Sequence, residues 1–113
     1  MRSKRMDFDL MQLVFEDDIR SILSLTVDSA LSIKEIARRL DIPLSRCYRK
    51  VKEMLDSGVM SIDGTDENNA LLYTSNLRSY SIVVGDSALS FMLEQEDGVI
   101  RSFEYCVPPR MDA

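Results

Sequence analysis

The stretch Ser32–Gly58, SIKEIARRLDIPLSRCYRKVKEMLDSG, decides how this chain is read. Ser32 is placed to cap a helix, with Glu35 three residues on at the spacing of a reciprocal capping box. Ile33, Ile36, Ala37 and Leu40 then recur at i, i+3, i+4 and i+7, the buried stripe of an amphipathic helix. Pro43 cannot continue that helix and biases Ile42 towards an extended conformation, which leaves Asp41-Ile42-Pro43 as a tight connection. Ser45 can cap a second helix over residues 45–57, in which Cys47, Val51, Met54 and Leu55 share the inner face. Gly58 supplies the left-handed conformation that ends many helices. Arg46, Arg49, Lys50 and Lys52 occupy the outer face. A short helix, a turn and a longer helix with a basic outer face outline a helix-turn-helix.

Outward from this pair, Met1–Asp7 is polar and frayed in expectation. Phe8–Phe15, FDLMQLVF, is apolar without a clear period and fits either a short strand or an early helical turn. Asp17–Leu25 reads as a helix that buries Ile19, Ile22 and Leu23, with Leu25 as a further candidate. The run Glu16-Asp17-Asp18 complements the positive end of that helix rather than forming a metal site, because consecutive helical residues point in different directions. Thr26–Leu31 is a loop. After Gly58, Val59–Ile62 and Ala70–Ser75 are two strands around the turn Asp63–Asn69. Tyr80–Val84, a stretch around Ser87–Gln95 and Val99–Val107 form a β-meander, with a helix over Ser87–Gln95 as the alternative. Pro108-Pro109 ends regular structure.

The expected fold is therefore α+β: three helices and a β-hairpin wing, with a C-terminal β-rich extension. The boundaries are an N-terminal segment over 1–15, the helix and hairpin unit over 16–78, and the extension over 79–113.

Composition bounds the function. The chain has 113 residues and a net charge of -5, with no histidine and two cysteines, Cys47 and Cys106. A length of this order suits one domain with a core. No apolar run approaches the ~18 residues of a membrane span, and no apolar run follows the basic N-terminus as in a secretory signal. The two isolated cysteines exclude the usual zinc frameworks and fit a reduced, cytoplasmic setting. There is no histidine base, glycine-rich phosphate loop, GxSxG or Cys/His pair, so an enzyme is not expected. No cofactor is expected either. Charge divides unevenly along the chain: residues 1–32 hold four basic and six acidic side chains, residues 33–56 seven and four, and residues 57–113 three and nine. The helix pair is the one block with a positive balance. Screening confines each charge to ~10 Å at moderate salt, so a local basic face in an acidic protein still binds phosphates.

Residues at i, i+3 and i+4 share a helix face, so Arg46, Arg49 and Lys50 are expected to project together, with Ser45, Tyr48 and Lys52 along the edges. Arginine can bridge guanine O6 and N7 in the major groove, and lysine, serine and tyrosine can bond phosphates. The residues Ile33, Glu35-Ile36-Ala37, Leu40, Ile42-Pro43-Leu44-Ser45, Tyr48-Arg49, Val51, Leu55, Gly58 and Val59 resemble the winged helix-turn-helix of prokaryotic, especially archaeal, transcriptional regulators related to the ArsR group. The resemblance covers about Asp17–Ser75. It implies a DNA-binding regulator of double-stranded DNA that acts as a homodimer. By position it makes Ser45, Arg46, Tyr48, Arg49 and Lys50 the DNA-facing set, with Lys34, Arg38 and Arg39 as backbone contacts.

This chain departs from that group in two ways. Metal-sensing members carry a cysteine pair or histidine and carboxylate clusters, whereas only Cys47 stands in the second helix, on its inner face. The turn of the hairpin carries Asp63, Asp66 and Glu67 where a cation would reach DNA. That leaves a protein-interaction winged helix as the rival reading. A small-molecule effector bound under Tyr80–Phe103 is a third.

Overall fold

The computed structural model describes residues 4–106, in which four helices precede five strands. Helix α1 is Lys4–Phe15, α2 Asp17–Thr26, α3 Ile33–Leu40 and α4 Leu44–Ser57. Strands β1 (Met60–Thr65) and β2 (Leu71–Ser75) pair as an antiparallel hairpin, and β3 (Leu77–Val84), β4 (Ala88–Gln95) and β5 (Ile100–Cys106) form an antiparallel meander.

Helix α3 begins as the capping pattern requires: the Ser32 hydroxyl accepts from the Glu35 backbone N–H at 3.2 Å. Asp41 then turns left-handed at φ 54° and Ile42 N–H returns to the Ala37 carbonyl at 3.1 Å, closing the helix before Pro43. Helix α4 starts one residue earlier than expected. Pro43 is its N-cap, and its carbonyl accepts from Cys47 N–H at 3.0 Å, so Ser45 lies inside the helix and is not the cap. Proline needs no N–H at this position, and its fixed φ suits entry into a helix. Gly58 ends α4 at φ 83°.

Three expectations change. Phe8–Phe15 is part of the twelve-residue helix α1, neither a strand nor a single turn. Leu10, Met11, Leu13 and Val14 are buried while Asp9 and Gln12 face out, a helical spacing in an almost wholly apolar segment. A fourth helix thus joins the three expected. Leu31, expected in a loop, bridges Tyr73 of β2 through paired backbone bonds of 3.0 and 2.8 Å. The first hairpin strand also runs further into the turn, to Thr65, while the second begins one residue later than expected, at Leu71.

Residues 88–95 form a strand, in register with β3 (Phe91 opposite Ile82) and β5 (Phe91 opposite Phe103). Its alternation decides the matter: Phe91, Leu93 and Gln95 are buried and Met92 is exposed. Val107, the expected end of the last strand, and the Pro108-Pro109 pair lie outside the described residues.

One core joins these parts. Leu10 and Val14 of α1, Ile19 and Ile22 of α2, Ile36 of α3, Val51 and Met54 of α4, and Phe91 and Leu93 of β4 belong to a single buried cluster. An aromatic ladder crosses the inner sheet face: Phe15 meets Tyr80 edge-on at 6.4 Å, and Phe91 stacks on Phe103 at 5.7 Å. Such pairs add roughly 0.5–1.5 kcal/mol each beyond burial. The carbonyl of Gly58 accepts from both Asn76 Nδ2 and Gln95 Nε2 at 2.9 Å, which fixes the end of α4 to the start of the meander.

Candidate nucleic-acid interface

Each residue of α4 advances the side chain by about 100°. Cys47, Val51 and Met54 are fully buried against the core. Opposite them, Ser45, Arg49 and Lys52 face solvent, and among the described residues Arg49 and Lys52 form no ion pair. Arg46 and Lys50 do not join them. Arg46, Arg49 and Lys50 span an arc of about 100°, and α2 packs against one edge of it. Arg46 Nε lies 3.1 Å from Asp18 Oδ2, and Lys50 Nζ pairs with Glu16 Oε1. The Lys50 side chain keeps only 14% of its surface exposed. The expectation that these three cations project together is corrected accordingly. The same contacts account for the acidic run at the start of α2: Glu16 holds Lys50, Asp18 holds Arg46, and Asp17 pairs with Arg20 within its own helix.

On α3, Lys34 is exposed and has no ion pair among the described residues. Arg38 and Arg39 both bond Glu35, with Arg38 Nε 3.0 Å from Oε2 and Arg39 Nε 2.8 Å from Oε1. Hydrogen bonds from Arg38 first and Arg39 second hold the Glu35 carboxyl down at about 2, and Glu35 in turn raises the Arg38 guanidinium. The side chain of Glu35 therefore faces along its own helix, and does not complete the reciprocal half of the capping box.

The remaining flank of α4 is apolar. Leu44 is 54% exposed and Tyr48 62% exposed, one turn apart. Tyr48 lies near Tyr73 of β2: burial, and then Tyr48, push the Tyr73 hydroxyl above its usual range. Ile62 and Leu71 of the hairpin are exposed as well. Leu44 falls outside the candidate set read from sequence, although it stands in the Ile42–Ser45 segment that carries the family resemblance.

Negative charge borders the face on two sides. Glu53 and Asp56 of α4, with Asp9 and Glu16, line an open groove of about 490 Å³ between α1 and α4, and Arg101 is the cation in it. At the hairpin turn Asp63 and Glu67 are exposed. Asp66 differs from these two, since its Oδ1 accepts from Asn68 N–H at 2.8 Å and Ala70 N–H at 3.0 Å and so shapes the turn. Among the described residues the unpaired positive charge of α4 is thus confined to Arg49 and Lys52, with Ser45 and Tyr48 beside them.

Cys47 sits on the inner face with Sγ 3.6 Å from the Ile33 carbonyl. Burial, and secondarily Asp18, push its thiol above the usual range, opposite to the shift that makes a thiolate ligand. Tyr80, Ile82, Leu89 and Phe103 pack partly buried against the core, with Tyr80 Oη donating to the Val14 carbonyl at 3.4 Å. A cleft of about 360 Å³ opens between α2 and β3, lined by Arg20, Leu23, Val27, Leu77 and Tyr80 among others. None of the described helices is long and apolar enough to cross a membrane.

Residues 20–59 match the family model of winged helix-turn-helix DNA-binding domains. The match runs from α2 through α4 and stops before β1. It supports a winged helix-turn-helix regulator as the coarse description of this α+β chain. No curated protein matches the chain.

Proposed function

We propose that this protein is a DNA-binding transcriptional regulator related to the ArsR group, and that it places the first half of α4 in the major groove of double-stranded DNA as a homodimer. The observation that carries the reading is the outward face of α4 around Arg49, where Arg49 and Lys52 form no ion pair among the described residues, in a protein of net charge -5.

In this reading Arg49 contacts a base edge, Ser45 and Lys52 contact phosphates, and Tyr48 lies along the groove wall. Lys34 reaches the backbone from α3. Arg38 and Arg39 lie beside it and would have to share their donors between Glu35 and phosphate. Arg46 and Lys50 are secondary contacts, available only on release from Asp18 and Glu16. The acidic turn of the hairpin stays away from phosphates, so α4 supplies most of the affinity. Two copies would place two α4 helices on successive turns of one DNA face, about 34 Å apart. A reduced intracellular setting follows from this role.

Selection of duplexes from a random pool by the full chain tests the reading. An enriched, partly palindromic site bound with strong salt dependence is the expected result. Recovery of no preferred sequence and no duplex affinity at low salt would overturn it.

A further inference from the structure

Leu44 and Tyr48 are not used in packing α4. The core contacts of this helix come from Cys47, Val51 and Met54, whereas Leu44 and Tyr48 keep more than half their surface in water. They stand at i and i+4, stacked on one flank, and each is followed one residue round the helix by a polar partner, Ser45 and Arg49. All four lie in the first two turns of α4, the part of a recognition helix that meets base edges.

The chemistry of the groove names what this flank can read. Adenine, guanine and cytosine present nitrogen and oxygen donors or acceptors in the major groove. Thymine alone adds an apolar group, its C5-methyl. Water released from Leu44 and the Tyr48 ring has its counterpart in water released from that methyl. The hydroxyl of Tyr48 is left to bond a phosphate or water at the groove edge.

Electrostatics gives this contact added weight. Two of the α4 cations are paired with α2, and Glu53, Asp56, Asp63 and Glu67 flank the face. Few phosphate contacts remain to be made, so a larger share of discrimination falls to groups that act without charge.

We propose that Leu44 and Tyr48 read thymine C5-methyl groups next to the base engaged by Arg49, giving the protein a preference for thymine at one or two fixed positions. The proposal rests on the DNA-binding reading above. Its test replaces the thymines of a selected duplex one at a time with deoxyuridine, which removes the methyl and keeps the pairing, and titrates the full chain by fluorescence anisotropy. Each methyl that Leu44 or Tyr48 covers should account for about a fourfold loss of affinity. The same replacement should have no effect on Leu44→Ala if Leu44 makes the contact, or on Tyr48→Ser if Tyr48 does. Thermal melts check that these variants fold, and the comparison of the two duplexes with unaltered protein does not depend on them. A selected site without thymine opposite the helix, or equal affinity for every uracil-containing duplex, would overturn the proposal while leaving DNA binding intact. Failure to select any duplex would overturn the DNA-binding reading instead.

Discussion

Asp18 on α2 faces Arg46 on α4, with Nε 3.1 Å from Oδ2, and Glu16 meets Lys50 one turn further along. Two of the cations that a helical wheel assigns to the DNA face are therefore held by carboxylates from the neighbouring helix. In the proposed DNA complex those carboxylates compete with phosphate for the two cations. They leave Arg49 as the one arginine of α4 free of an ion pair among the described residues.

Neutralising the carboxylates should release the cations. Asp18→Asn combined with Glu16→Gln is expected to strengthen binding to unrelated duplex at low salt, and to steepen the plot of log affinity against log salt by about one to two ions. Asp18→Asn should change stability by no more than about 1 kcal/mol, as its partner Arg46 is near the surface. Glu16→Gln should cost more, because it leaves the Lys50 ammonium, only 14% exposed, without its partner. Anisotropy titrations across salt, together with a urea melt, read both effects.

The Glu35 carboxyl offers a pH test of the α3 network. Its folded value near 2 lies below the ordinary 4.5. A depressed carboxylate stabilises the folded state above the unfolded value, and that contribution is lost as the pH falls from about 4.5 through about 2. The side chain keeps 31% of its surface exposed, so solvent screening keeps the stability effect small and the titration itself is the readout. Carbon-13 NMR of Glu35 should show a midpoint near 2 in the native protein. In Arg38→Ala/Arg39→Ala the midpoint should return towards 4.5.

The two thiols should differ in reactivity. Cys106 is exposed and Cys47 is fully buried with a raised thiol pKa. Ellman's reagent at pH 8 is expected to label one thiol rapidly and the second only when denaturant opens the core. Rapid labelling of both would contradict the inward placement of Cys47.

Gly58 is a test of how α4 ends. Its φ of 83° is costly for a side chain, while an added Cβ would meet only the Arg101 and Gln95 side-chain ends at 3.7 Å, an ordinary contact. Gly58→Ala should therefore destabilise the protein by about 1–2 kcal/mol through backbone conformation alone, measured by chemical denaturation.

The parts of this fold that are legible in sequence are those that local chemistry specifies. Ser32, Pro43 and Gly58 mark the limits of α3 and α4 because capping and proline geometry act within a few residues. Over Ser87–Gln95 strand and helix stay open in the sequence, since Phe91, Met92 and Leu93 are all apolar, and the strand shows only in their alternating burial. Helix α1 is harder to see, because Leu10, Met11, Leu13 and Val14 form an almost continuous apolar run whose period shows only once Asp9 and Gln12 are weighed as outward positions. The bridge from Leu31 to Tyr73 leaves no local signature at all.

The candidate site divides along the same line. That α4 carries a basic face can be read from residues 45–52 alone. Which cations remain available cannot, since Arg46 meets Asp18 and Lys50 meets Glu16 across 28 and 34 positions of chain. Leu44 is hidden for a related reason: an apolar residue at a helix start reads as packing until its exposure is known.

The division of α4 into free and paired cations is tested most directly by measuring Arg49→Ala and Arg46→Ala side by side on the same selected duplex. Arg49→Ala is expected to weaken binding by about 1–3 kcal/mol and to relax base preference at one position. Arg46→Ala should change affinity far less, because its guanidinium is already paired with Asp18. Equal losses for the two variants, or unchanged binding by Arg49→Ala, would contradict the account.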